Sequence, residues 1–188
     1  MSISKEIEIK YTIEDTESLI KKLNECADYK GEYRQSDTYY NPPHVDFLKN
    51  PKNISKWLRI RHQNGNSSIN FKSFYPQDSF PKTHCDEYET QVASVETLQA
   101  ILQALDFKPL IIINKVRHSW DYNDIEISMD MIENLGSYVE LEYKGHRDDV
   151  DSVLDYLKQT LFNLTDKTGE PVIHGYPHLM MLKNGWFE

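Results

Sequence analysis

The sequence predicts an α+β fold of two pseudo-repeated halves, with roughly eight antiparallel strands and three or four helices. Two observations predict it. Short segments alternate apolar and polar residues with a period of two, and the order strand, helix, strands occurs twice along the chain. A chain of 188 residues can bury one core unaided, so a single domain over residues 1–188 is expected.

Glu6-Ile7-Glu8-Ile9-Lys10-Tyr11 alternates cleanly and reads as the first strand. Thr16 to Cys26 then carries Leu19, Ile20 and Leu23 at helical spacing behind an Asp and Thr start. Strands follow at Asp37 to Asn41, Lys56 to Gln63, Ile69 to Phe74 and Tyr88 to Val92, separated by Pro42-Pro43, Asn64-Gly65 and the Pro76 to Pro81 stretch. The second half opens with a helix from Val95 to Leu105, marked by Leu98, Ile101, Leu102 and Leu105. Strands at Ile111 to Trp120, Asp124 to Met131 and Tyr138 to Tyr143 come next. Val150, Val153, Leu154, Leu157 and Leu161 mark a helix over Asp149 to Leu164, and Tyr176 to Leu182 reads as a short closing helix.

The formal net charge of -9 and the pI near 5.3 argue against a nucleic-acid or anionic-membrane surface, which rewards basic patches. Any anion site must be local. The most apolar window, Leu110 to Ile113, is far shorter than the roughly 20 residues that cross a bilayer. Cys26 and Cys85 have no metal or redox spacing, and the N-terminus lacks a signal-type apolar run, so a cytoplasmic protein is expected.

The strands carry the chemistry. Glu6, Glu8 and Lys10 share one parity, as do Arg59 with Arg61, Asn70 with Lys72, Lys115 with Arg117, Glu126 with Ser128 and Asp130, and Glu140 with Glu142. One reading is a set of solvent faces on an open antiparallel sheet. The other is convergence: the acidic strands form one wall and the basic strands another, with something mediating between them, since unpaired buried ions cost several kcal/mol each. A polyphosphate with divalent cations meets that demand, because carboxylates hold Mg²⁺ or Mn²⁺ while Arg and Lys take phosphate oxygens. The chain has no GxxxxGK[ST] phosphate loop, so side chains must do the binding.

In order along the chain, these segments resemble the CYTH superfamily of triphosphate tunnel metalloenzymes. Glu6-Ile7-Glu8-Ile9-Lys10 is similar to the family's ExExK signature, Asp37-Thr38-Tyr39-Tyr40 to its DxYY-type segment and Leu58-Arg59-Ile60-Arg61 to its LRIR strand. Phe71-Lys72, Asp86-Glu87-Tyr88-Glu89, Lys115-Val116-Arg117, Met129-Asp130 and Leu135-Gly136-Ser137-Tyr138-Val139-Glu140-Leu141-Glu142 follow. The resemblance implies a closed eight-stranded antiparallel barrel with flanking helices. It also implies Mg²⁺ or Mn²⁺ held by Glu6, Glu8, Asp130, Glu140 and Glu142, and a triphosphate bound by Lys10, Arg59, Arg61, Lys72, Lys115 and Arg117. Lys72 with Tyr39 or Tyr40 resembles a Lys and Tyr pairing that handles protons in thiamine triphosphatases. Family members also pair as dimers, so a homodimer is consistent with the resemblance.

Two nucleophiles fit such a site. Attack by the ribose 3′-oxygen on the α-phosphorus of ATP gives cyclic AMP and pyrophosphate, whereas attack by water makes the protein a phosphohydrolase of inorganic or thiamine triphosphate. The GxxVELE strand and the Tyr176 to Leu182 tail resemble class IV adenylate cyclases, which favours the first. A non-catalytic polyphosphate or nucleotide binder is a third reading. A lipocalin-like carrier is disfavoured by the charged strand faces. His174 and His178 flank Gly175 and Pro177 and read as loop residues, with no metal pair expected.

Overall fold

The computed structural model describes residues 4–147 and 149–187. Among the described residues ten strands and four α-helices follow one another, the last strand in a place where none was expected: β1 (Ser4–Glu6), β2 (Glu8–Ile13), α1 (Thr16–Cys26), β3 (Asp28–Asn41), β4 (Lys56–Gln63), β5 (Asn66–Tyr75), β6 (His84–Gln91), α2 (Val95–Ala104), β7 (Lys108–Tyr122), β8 (Ile125–Ile132), β9 (Gly136–Tyr143), α3 (Val150–Leu164), β10 (Thr168–Pro171) and α4 (Tyr176–Lys183). The strands run in the order β1-β6-β5-β4-β3-β7-β8-β9-β2-β10.

This corrects the expected closed eight-stranded barrel: ten strands take part, and the order has two ends, at β1 and β10. The expected first strand is in fact two. Ser4–Glu6 lies beside β6 whereas Glu8–Ile13 lies between β9 and β10, and Ile7 between them turns its side chain into the core while its carbonyl accepts from the Tyr143 amide at 2.9 Å, one step beyond the Glu8–Glu142 pair. The other added length lies in polar sequence. Asp28 to Arg34 extends β3 well before Asp37, but DYKGEYR has no apolar alternation to announce a strand.

The chain divides into two compact units. The first is built on Gln35–Asn114, with residues 4–5 and 175–187. Its strands β4 and β5 meet at Asn64 and Gly65, both with positive φ (48° and 85°), the conformation that suits a two-residue hairpin and that Asn-Gly adopts at low cost. Tyr40, Ile60 and Leu102 form a buried cluster with Leu58, Val95, Leu98 and Phe107, which seats the apolar stripe of α2 on the sheet. Ser94 starts that helix by accepting from the Thr97 amide at 3.1 Å.

The second unit is Glu6–Arg34 with Lys115–His174. One sheet face supplies Ile9, Tyr11, Ile127, Met129, Val139 and Leu141, and α1 and α3 cover it with Leu19, Leu23, Val153, Leu157 and Leu161. Each such buried side chain contributes about 1.5–3 kcal/mol, enough to fix which way every strand faces. Asp15 caps α1 through the Ser18 amide at 3.0 Å. Because side chains alternate along a strand, sealing the apolar face commits the charged residues to the other.

Candidate functional site

In the second unit, register aligns the charged face row by row, since directly opposed residues of an antiparallel pair share a face. Glu8 opposes Glu142, which opposes Glu126, which opposes Asp121. Lys10 opposes Glu140, which opposes Ser128, and Asp130 opposes both Tyr138 and Arg117.

These groups form a continuous ion-pair chain. Lys10 Nζ lies 3.3 Å from Glu8 and 3.1 Å from Glu140. Arg117 Nη2 donates to Glu140 at 2.9 Å, and Arg117 also grips Asp130 with two bonds of 2.6 Å, Nε to Oδ1 and Nη2 to Oδ2. Lys115 Nζ donates to Asp130 Oδ2 at 2.9 Å. Lys10, Lys115, Asp130 and Glu140 are all under 10% exposed, so this is no solvent face. Burial would lower the Lys10 ammonium, but the Glu8 and Glu140 carboxylates outweigh it and hold the group above the usual lysine range. Burial would likewise raise Asp130, yet Arg117 and Lys115 prevail and bring it down to about 2.

At the outer end of this face Lys144, just past β9, reaches Glu142 at 2.6 Å and Glu126 at 3.5 Å. Burial acts to lower the Lys144 ammonium, and Glu142, Glu126 and Glu6 together raise it. Glu126 also accepts from the Ser119 hydroxyl at 3.0 Å. Glu6 is 4% exposed, at the end of β1.

The first unit has its own charged face. Asp37, 2% exposed, accepts from Arg61 Nε and Nη2 at 2.7 Å each and from Arg59 Nη1 at 3.2 Å. Lys72 lies 3.6 Å from Glu87, which also accepts from Asn70. Among the described residues the Arg59 Nε–H is buried with no acceptor, an orphaned donor of the kind that an anion satisfies. Burial would lower the Arg59 guanidinium, but Asp37 and Tyr39 outweigh that and raise it. Tyr39 opposes Arg59 in the register and packs edge-on against Trp57, and burial pushes its phenol up.

Of the residues expected from the sequence, Lys10, Lys115, Arg117, Glu8, Asp130, Glu140 and Glu142 come together on one face of the second unit. Arg59, Arg61, Lys72 and Tyr39 share a face of the first. Tyr40 does not join them: it has the opposite parity and packs with Ile60 and Leu102. Sequence reasoning noted Asp37, Glu87 and Glu126 without giving them a role in the site, and it passed over Lys144. Parity offered the signal, because Asp37 alternates with Tyr39 and Lys144 with Glu142. Within each unit acids and bases interleave on one face, where the sequence suggested walls of opposite sign.

The donor set can be tested for Mg²⁺ or Mn²⁺. Glu8, Glu126 and Glu142 are hard oxygen donors in one cross-strand row, which suits those cations. Among the described residues no three His, Cys, Asp or Glu side chains are already gathered into a metal cage. Glu8 is paired with Lys10, and Glu126 and Glu142 with Lys144. The chemistry fits, provided a cation replaces lysine contacts. Both Asp130 oxygens are taken up by Arg117 and Lys115.

Residues 4–171 match the sequence profile of the CYTH domain. The chain belongs to the CYTH domain family. A candidate adenylate cyclase of Methanocaldococcus jannaschii is 31% identical over 159 residues, covering 83% of this CYTH chain and 87% of that protein. Among solved structures, the PH1819 protein of Pyrococcus horikoshii superposes with a TM-score of 0.80 at 23% identity, over 95% of this chain and 99% of that one. A candidate adenylyl cyclase of Hippeastrum, described as having a dominant triphosphatase activity, superposes with a TM-score of 0.62 at 16% identity, covering 96% of each chain. No helix among the described residues is long and apolar enough to cross a membrane.

Proposed function

We propose that this CYTH chain is a divalent-cation-dependent enzyme acting on a triphosphate, and that it converts ATP to cyclic AMP and pyrophosphate. The observation that carries the triphosphate reading is Arg59. Its Nε–H is buried without an acceptor among the described residues, while Asp37 holds the Arg59 and Arg61 guanidinium groups in place. A phosphate oxygen satisfies such a donor, and planar guanidinium offers it two parallel bonds. The cyclase reading is supported by the Methanocaldococcus jannaschii relative.

In the first unit Arg59, Arg61 and Lys72 are the proposed phosphate ligands. In the second, Lys10, Lys115 and Arg117 take that role, with Asp130 as the positioning residue that keeps Lys115 and Arg117 charged and aligned. Glu6, Glu8, Glu140 and Glu142 are the proposed ligands of Mg²⁺ or Mn²⁺. Such a cation, when bound, neutralises phosphoryl oxygens and steadies the leaving pyrophosphate. Tyr39, beside Arg59, is the proposed group that orients the substrate oxygen.

Hydrolysis is the second reading, because the same fold carries a dominant triphosphatase activity in the Hippeastrum protein. One assay separates them. The purified chain is given Mg²⁺ or Mn²⁺ with ATP, inorganic triphosphate or thiamine triphosphate in turn. Cyclic AMP with pyrophosphate from ATP is the expected result, orthophosphate from any of the three moves the assignment to a phosphohydrolase, and no product from any of them sinks both.

A further inference from the structure

Lys144 stands apart from the other cations of its face. Lys10 and Lys115 are buried within strands, whereas Lys144 follows the end of β9 and its side chain is 46% exposed. Its backbone is nonetheless fixed, since its amide donates to the Asp124 carbonyl at 2.8 Å. The ammonium bridges two carboxylates on adjacent strands, Glu142 at 2.6 Å and Glu126 at 3.5 Å. Those two residues oppose each other in the register, and Glu8 is the next residue of the same row.

Three carboxylates in one cross-strand row repel one another, and like charges directly opposed destabilise a sheet. A positive group between Glu126 and Glu142 relieves this. Two cations can supply it, the lysine or a divalent ion, and both seek the same oxygens. A long, half-exposed side chain on a fixed backbone can leave and return without moving the strand.

We propose that Lys144 is an exchangeable counter-ion for the Glu126–Glu142 pair, which it neutralises when no divalent cation is bound and vacates when one binds. It thereby sets the cation affinity, and Glu126 becomes a further acidic contributor to that site. This rests on the reading of Glu8 and Glu142 as cation ligands. The consequence is a pair of effects of opposite sign. Removing Lys144 takes the positive charge from between Glu126 and Glu142 and lowers stability without added cation, but it also removes a competitor and strengthens cation binding.

The test is a comparison of Lys144→Met and Lys144→Arg with the unaltered chain, by calorimetric titration with Mn²⁺ and by thermal melting with and without Mn²⁺, all in the absence of triphosphate. The expected result for Lys144→Met is about a fivefold tighter Mn²⁺ affinity, the size set by one half-exposed charge pair. Its melting temperature falls without the ion, and the rise on adding Mn²⁺ exceeds that of the unaltered chain. Lys144→Arg keeps the charge and stays close to the unaltered chain in both measurements. If the unaltered chain binds Mn²⁺ and Lys144→Met binds it equally or more weakly, the counter-ion role is overturned while the cation site stands. If the unaltered chain takes up no Mn²⁺ and turns over no triphosphate with it, the underlying reading falls as well.

Discussion

Arg117 clasps Asp130 with two parallel hydrogen bonds of 2.6 Å, and Lys115 adds a third at 2.9 Å, around a carboxylate that is fully buried. Such a carboxylate contributes stability only while ionised. Its pKa is lowered in the folded protein, from an ordinary 3.8 to about 2. The contribution is therefore complete above about pH 4 and is lost as the pH falls from there through about 2. Urea unfolding between pH 5 and pH 2 should show this as a falling midpoint. In Asp130→Asn the midpoint is lower at pH 5 and falls less steeply with acid. An identical pH slope in both proteins would contradict the role given to Asp130.

Arg61 spans both oxygens of Asp37 through Nε and Nη2. Lysine carries the same charge but cannot make that paired contact. Arg61→Lys is expected to raise the KM for the triphosphate about tenfold, in line with the ~1.5–3 kcal/mol of a hydrogen bond to a charged group, with a smaller change in kcat. Steady-state kinetics decide it, and an unchanged KM would remove Arg61 from the phosphate ligands.

Much of this was legible in the residues, and the reason is the period of two. Glu8 and Lys10 alternate with Ile9 and Tyr11, Arg59 and Arg61 with Ile60, and Glu140 and Glu142 with Leu141, so the charged face could be written down strand by strand. The helices α1, α2 and α3 announced themselves through apolar spacing, to within a residue or so at each end. What stayed hidden is what alternation does not encode. The division at Ile7 falls inside an unbroken alternation, and it shows only in the change of neighbour, β6 for Ser4–Glu6 and β9 for Glu8–Ile13. The early part of β3 is polar throughout, so its pairing is set by neighbours and not by its own pattern. Lys144 lies beyond the recognisable Glu140-Leu141-Glu142 strand, and only register brings it to Glu126.

Tyr39 and Tyr40 are adjacent yet face opposite ways, Tyr39 toward Arg59 and Tyr40 into the cluster with Ile60 and Leu102. Removing each hydroxyl should therefore have different effects. Tyr39→Phe is expected to lower kcat about tenfold, as loss of a hydrogen bond near a charged group does, with little change in melting temperature. Tyr40→Phe keeps the ring and should leave both kcat and KM near their original values, since its hydroxyl sits on the apolar side of the sheet and takes a long 3.5 Å contact from Gln99. Equal losses in the two variants would mean that neither hydroxyl acts on the substrate.

Glu8 and Glu142 oppose each other across β2 and β9, and each already has a lysine partner: Lys10 at 3.3 Å for Glu8 and Lys144 at 2.6 Å for Glu142. Lys10 keeps Glu140 at 3.1 Å and Lys144 is half-exposed, so a neutral amide of the same shape can replace either glutamate without leaving a buried cation uncompensated. Glu8→Gln and Glu142→Gln should thus fold, as their circular dichroism and melting curves will show. An amide oxygen is a far weaker partner for Mg²⁺ or Mn²⁺ than a carboxylate, and losing several kcal/mol of transition-state stabilisation lowers turnover by more than about a hundredfold. Turnover measured against cation concentration distinguishes the roles: a ligand loss shifts the half-saturating cation concentration upward, whereas a purely structural effect lowers the plateau and leaves that concentration in place. Full turnover at the original cation concentration in both variants would withdraw these two glutamates from the proposed site.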